Sequence, residues 1–500
     1  MKPRQLLALS LALPACGGSS EGTDSLPNGE DGADAAADLW SPPEAAPPEG
    51  GDLDVSPDVS DATESEPAVD VAWCRQFGGT ADVWGRAMAA SPEGDFAIVG
   101  SFDGDTLDLG GPPLSNVGST SMFVARFDRF GNHLWSRSSQ AISGGSTSRA
   151  NTAQFDPSGR VLVAGVFHYG VSFGGDVHSS VGHGDAFVAT FGPSGEFVSS
   201  IPFLSSGSQG WDGSQEAIGA KLDSHGNAVV AVACQGAMEV AGVMLPDTGS
   251  WDLCLVKLNP SLAVVWAKRW THAHSRALDP IALDADDNVI VTGEFYGALD
   301  FGQGPVSEAN SKGFYVAKLD PGGGMLWSHV FETACSDGAG ALAVDPSGAV
   351  FLAGGVRCPI DFGAGELGHV DLDQDVYLAH FEADGSLVWA NVIDGLDDQR
   401  IDSASLTPAG SLLVAGVNDA RVDLGGGPLF GDNEPFVALF SDAGQHLGSR
   451  QFHGRAAIGG MAALPGGGVA LLVETDEPVD IGEGPLTAEL ALCSLPDVWE

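Results

Sequence analysis

Four aspartates, Asp82, Asp212, Asp337 and Asp398, stand at similar points of four separate loops in this 500-residue chain. Trp84, Trp211, His272, His274 and Arg400 lie beside them in sequence. A ring of such carboxylates around one opening would attract a divalent cation or a cationic ligand. Loop carboxylates also do a plainer job, accepting backbone N–H bonds and capping their own turns. His272-Ala273-His274 directs both imidazoles to one side if the segment is extended, yet no third metal ligand stands near it in sequence. Two carboxylates about 5–9.5 Å apart, one held protonated, would suffice for glycoside hydrolysis. No D-x-D-x-D-G calcium loop, G-x-S-x-G elbow, H-E-x-x-H or phosphate-loop pattern occurs.

Cysteine chemistry points elsewhere. Apart from Cys16 there are six: Cys74, Cys234, Cys254, Cys335, Cys358 and Cys493. No C-x₂₋₄-C spacing marks a zinc site, and an even number suits disulfides in an oxidising compartment. The repeats described below favour Cys234 with Cys254, Cys335 with Cys358, and Cys74 with Cys493. For the last pair, counting along the strands predicts a slight offset from direct opposition.

Composition narrows the function classes. The formal net charge is −46, which argues against nucleic acid, because binding there requires a basic face. It also disfavours docking on anionic lipid. Gly is 70 of 500 residues, about twice the usual roughly 7%, as expected of short strands and tight turns. A hydrophobic content of 43% is enough for a sizeable core.

Residues 1–16 read as a targeting signal rather than structure. Lys2 and Arg4 precede the apolar run Leu6 to Leu13, which is too short to span a bilayer. Leu13-Pro14-Ala15-Cys16 resembles the lipobox of bacterial lipoproteins, with Pro14 an unusual residue at its position; the resemblance implies lipidation of Cys16. Residues 17–70 hold 15 Asp or Glu and no Lys or Arg, among many Pro, Ala, Gly and Ser. One-signed charge with little hydrophobicity cannot repay ordering entropy, so a disordered stalk is expected.

From residue 71 onward the chain repeats. SPEGDFAIVG from Ser91 returns as DPSGRVLVAG, DSHGNAVVAV, DADDNVIVTG, DPSGAVFLAG, TPAGSLLVAG and LPGGGVALLV, at intervals of 65, 67, 61, 61, 62 and 57 residues. A second element follows each, as in LDLGGPPL from Leu107 and IDFGAGEL from Ile360. It repeats Asp108, Asp300, Asp361, Asp423 and Asp480, and such recurrence predicts a structural role for these carboxylates. A third element is a hairpin ending in Trp, as in FYVAKLDPGGGMLW from Phe314, and it repeats Trp135, Trp266, Trp327 and Trp389. Each repeat therefore supplies two hairpins, hence four strands. One four-stranded sheet cannot bury both faces, but sheets stacked radially can. The expected fold is all-β, a seven-bladed β-propeller of four-stranded blades over residues 71–500. The last repeat lacks its Trp strand, and AWCRQF at Ala72 matches it. The N-terminal strand is thus expected to complete the last blade and close the ring. The Trp residues are expected to pack between blades.

The D-x-x-G strand turn, the D-F-G-x-G element and the hairpin ending in L-W together resemble the bacterial seven-bladed propeller repeat of the SBBP type. The resemblance covers roughly residues 71–500. It implies a propeller on an exported or cell-surface protein and no defined activity. FYVAKLDPGGGMLW is also similar to the Trp-ending repeats of quinoprotein propellers, a family that includes pyrroloquinoline-quinone dehydrogenases and lipoproteins that scaffold outer-membrane assembly. This chain has seven repeats where those have eight, and no vicinal Cys pair to contact a quinone. No cofactor is expected, although a divalent cation would be compatible with the acidic loops.

Taken together, the residues predict an exported binding or scaffold module, lipid-anchored to the cell envelope and more at home on the outer membrane than the inner. A protein or glycan partner suits it, and nucleic acid does not. A carbohydrate-active hydrolase or lyase using funnel acids and a purely structural envelope protein are the alternatives; the chain is not expected to be an enzyme.

Overall fold

A computed structural model describes residues 72–496, apart from 207–213, 275–279, 336–337, 371–372, 465, 476 and 483. Cys16 and the expected stalk, with Trp211, Asp212 and Asp337, lie outside the described residues. All the extended elements described are β-strands.

Each repeat folds as four antiparallel strands in chain order. In the first, Val83–Ala90, Phe96–Phe102, Ser121–Phe127 and His133–Ser138 pair successively. The next five repeats follow the same plan. The last sheet runs Ala457–Ala463, Val469–Glu474 and Leu490–Leu495, and takes Trp73–Gly79 from the start of the chain as its fourth strand. Apolar clusters fill the spaces between consecutive sheets. One joins Phe96, Phe102 and Phe127 of the first sheet to Leu472, Leu490 and Leu492 of the last. Each such fully buried side chain contributes about 1.5–3 kcal/mol. The result is an all-β propeller, in which the first strand of each sheet touches the first strand of the next.

The turns explain the conserved look of the repeats. Asp156, Asp223 and Asp284 each accept backbone N–H bonds from residues two and four positions on. In the second element Asp361 accepts from Gly363 and Gly365, and Asp423 from Gly425 and Gly427. Gly363 and Gly365 sit at φ near +110°, where a side chain would be strained. Asp300 makes the same two bonds, and Asp108 and Asp480 make the one from the residue two positions on.

Five Trp residues tie the sheets that carry them to the following one. Trp135 Nε1 donates to Pro193 O at 2.9 Å, Trp327 Nε1 to Ala383 O at 3.0 Å, and Trp389 Nε1 to Asp442 O at 2.7 Å. Every acceptor lies in the outer hairpin turn of the next sheet. Trp266 does likewise with Pro321 O. Trp73 reaches from the last sheet to Arg129 O of the first at 3.2 Å.

Three disulfides are formed: Cys74–Cys493, Cys234–Cys254 and Cys335–Cys358. The expected offset of the first pair is corrected, for Cys74 stands directly opposite Cys493 with Cα atoms 4.1 Å apart. The cause is a β-bulge in the outer hairpin of the first six repeats, between Arg126 and Phe127 in the first. A count along the hairpin runs through this extra residue and slips by one. Measured from the Trp, the register is the same in every sheet that carries one.

Candidate functional site

The first strands of the successive sheets border one cavity of about 910 Å³. That is within the range of sites that enclose small molecules. These strands are Val83–Ala90, Thr147–Phe155, Ser214–Leu222, Ile281–Leu283, Gly338–Val344, Gln399–Leu406 and Ala457–Ala463. Where the strands enter, the wall is charged, with Arg86, Arg400, Asp402 and Glu474. Further along it is lined by Ala282, Leu342, Val344, Leu406 and Ala463. Lys221 and Gln154 stand at the far end of their strands.

Arg86 and Asp402 owe their place in this charged belt to a recurring irregularity of the inner strands. Each inner strand except the fourth carries a β-bulge against its second strand, skipping Arg86, Asn151, Ile218, Gly340, Asp402 and Gly459. A bulge leaves one residue outside the ladder and re-aims its side chain. Each of these residues lies five positions before the first residue of its inner turn, and Asp279, outside the described residues, holds that place in the fourth repeat. The column can be read from the aligned repeats, yet strict alternation along a strand hides it. Arg86, Asn151 and Asp402 were therefore not among the expected site residues.

Ion pairs organise the belt. Arg149 Nη2 donates to Glu216 Oε1 at 2.7 Å, and Asn151 Nδ2 donates to the same oxygen at 2.9 Å. Arg400 pairs with Asp402 two residues on. Burial pushes the Asp402 carboxyl above its ordinary range, against the opposing pull of Arg400. Burial and the neighbouring Arg149 guanidinium lower the pKa of Arg86, while Glu474 and Glu216 act the other way. A second cavity of about 300 Å³ opens beside the first, bordered by Trp84, Arg86, Arg149 and His168. His168 is held below its usual range by burial and by His183.

Of the expected ligand face, Trp84 and Arg400 line the large cavity. Asp82 is exposed, and its backbone N–H donates to Asp103 at 3.2 Å. Asp398 pairs with Arg357 at 3.0 Å and accepts the Gln374 N–H at 2.9 Å, which is how a carboxylate caps a loop. His272 is exposed at φ +67°, and its N–H donates to buried Asp252. The backbone of His274 pairs with Glu294, and its side chain lies outside the described residues. Among the described residues two clusters bring three potential metal ligands together, Asp223 with His225 and Asp287, and His369 with Asp375 and Asp394. In the first, Asp223 is occupied by Lys257 at 2.8 Å, and Asp287 binds Ser224 across two sheets.

No protein-family profile matches the chain, and no curated protein matches it. Several solved structures are similar in outline. The streptogramin B lyase structure aligns at a TM-score of 0.41 and 8% identity, covering 85% of this chain and 98% of that one. The β-propeller domain of the Trilobed protease from Pyrococcus furiosus aligns at 0.41 and 11%, covering 82% and 97%. BamB from Moraxella catarrhalis aligns at 0.37 and 11%, covering 85% and 100%. Likeness at this level carries no function across; the propeller architecture rests on the strand pairing of this chain.

Proposed function

We propose that the protein is an exported binding and scaffold module, a seven-bladed propeller closed by its N-terminal strand and carried on an acidic stalk from a lipidated Cys16. The observation that carries the binding role is the axial cavity of about 910 Å³, into which all seven inner strands bring side chains. Its charged mouth and apolar shaft suit a ligand that enters end-on. Ring closure is supported by Trp73, which bonds the last sheet to the first, and by the apolar cluster between them. Export is supported by three disulfides, which persist in oxidising compartments. The lipid anchor, the SBBP-type kinship and an outer-membrane address rest on sequence motifs. A protein or glycan partner, and a divalent cation at the acidic loops, belong to the same reading. A glycoside hydrolase or lyase is the less favoured alternative, since Asp402, a half-buried acid of the cavity, is tied to Arg400.

The test is thermal unfolding of the full chain against metal ions, glycans, peptides and common metabolites. A bound ligand at 100 times its Kd stabilises the folded state by about 2.7 kcal/mol. The expected result is a ligand whose shift disappears in Trp84→Ala. A shift that survives that change places binding outside the cavity and defeats the reading. Fatty-acid labelling of the wild type, absent in Cys16→Ser, checks the anchor.

A further inference from the structure

We propose that the side cavity between the first two inner strands is a binding site for a carboxylate, received by Arg86 and Arg149 and walled by Trp84. The inference rests on the reading of the propeller as a binding module and names a ligand class for it. The chain has only 21 Lys and Arg against 67 Asp and Glu. Two of those rare cations nevertheless line one pocket of about 300 Å³.

Neither guanidinium is satisfied there. Arg149 spends Nη2 on Glu216, but its Nε is buried with no hydrogen-bond partner. Arg86 Nε is likewise buried without a partner. Among the described residues no carboxylate lies within ion-pair distance of Arg86. In so acidic a protein, an unpaired arginine beside another arginine is an arrangement that stability alone does not favour. The bulge matters here, because it takes Arg86 out of the strand ladder and puts it on the cavity wall.

The charge inventory selects the ligand. Glu216 and Glu474 partly offset the charge on Arg86, so the pocket receives one negative charge more readily than two. A planar carboxylate matches the fork of a guanidinium. His168, whose pKa burial lowers and which bonds Thr147 Oγ1 at 2.9 Å, adds a polar group to the wall. Trp84 presents an aromatic wall, which favours an organic acid with an apolar body.

The experiment titrates the full-length protein with sodium benzoate, and separately with sodium acetate and inorganic phosphate, by calorimetry at constant ionic strength. Benzoate is expected to bind more tightly than acetate or phosphate. Arg86→Gln should weaken it by about tenfold or more, as the loss of one charge-assisted fork implies. Arg86→Lys keeps the charge but not the fork, and should fall between. Without benzoate, Arg86→Gln should melt at or above the wild-type temperature, since a like-charge contact is relieved. Benzoate binding within twofold in Arg86→Gln overturns the proposal, and so does a heat no greater than that of chloride. A clearly lower melting temperature in Arg86→Gln overturns it too, because it marks the residue as structural. If benzoate fails while another ligand shifts the wild type and not Trp84→Ala, the binding module stands and the carboxylate site falls.

Discussion

The bond between Cys74 and Cys493 closes a loop of 419 residues, and the other two close loops of 20 and 23. In the chain-entropy model the long loop stabilises by about 6 kcal/mol and each short one by about 3 kcal/mol. The comparison is made by removing one pair at a time, as Cys74→Ala with Cys493→Ala and as Cys234→Ala with Cys254→Ala. Buried sulfur is deleted in both, so much of the truncation cost is shared. Urea unfolding of each, with matching slopes, gives the difference in stability. The first pair should cost about 3 kcal/mol more than the second. At roughly 2.1 cal/mol/K per residue, each kcal/mol moves the melting temperature of a body this large by about 1 °C. Losing the long loop should thus lower it by about 6 °C. The strand itself remains held, because Arg75 bonds Gly131 O and Phe130 O and Gln76 accepts from Thr487. The variant should therefore stay folded, with faster amide exchange along Leu490–Leu495. Equal costs for the two pairs would refute the view that this bond acts by restraining the unfolded chain.

Lys318 is buried against Asp284 at 2.9 Å, so Lys318→Met should destabilise by about 3–5 kcal/mol in urea unfolding, with much of the loss recovered when Asp284→Asn is added. Trp327→Phe keeps most of the packing and loses the bond to Ala383 O, so its unfolding midpoint should fall by the equivalent of about 1 kcal/mol. Acid should destabilise the fold. Burial pushes Asp156, Asp223 and Asp284 up, but their hydrogen bonds outweigh it and hold all three below the ordinary range. A depressed carboxyl contributes fully above its unfolded pKa, and that contribution is lost as pH falls through the depressed value. The urea midpoint should accordingly drop below about pH 4. Asp185 and Asp402, raised by burial, act in the opposite sense and soften the fall. A midpoint that holds steady to pH 2.5 would contradict these assignments.

Much of the architecture is legible without coordinates because it is local and repeated. An Asp that closes a turn on nearby N–H groups leaves its mark in a few consecutive letters, and its return at Asp156, Asp223, Asp284 and Asp345, with Ser91 and Thr407 in the same place of two further repeats, makes the mark unmistakable. The near-continuous apolar runs FAIVGSF and VLVAGVFH call for strands buried on both faces, and so sheets stacked on sheets. The Trp column could be read as packing, but its polar role could not. Trp327 donates to a carbonyl 56 residues away, and nothing in the sequence says which turn comes to rest against it.

The site is a different matter. Asp82 and Asp398 were singled out by type and position in loops, and Arg86 was passed over as an ordinary strand residue. A bulge reverses that reading, since one residue dropped from the ladder changes which side chains face the axis. The amino-acid sequence by itself determined the strands, the turns, the repeat and the pairing of the first strand with the last sheet, because each depends on neighbours in the chain or on a recurring template. Only the tertiary structure decided that Arg86, Arg149 and Trp84 share a pocket, because inner strands from separate repeats converge only at the axis and the aim of a bulged side chain is set by the strand beside it.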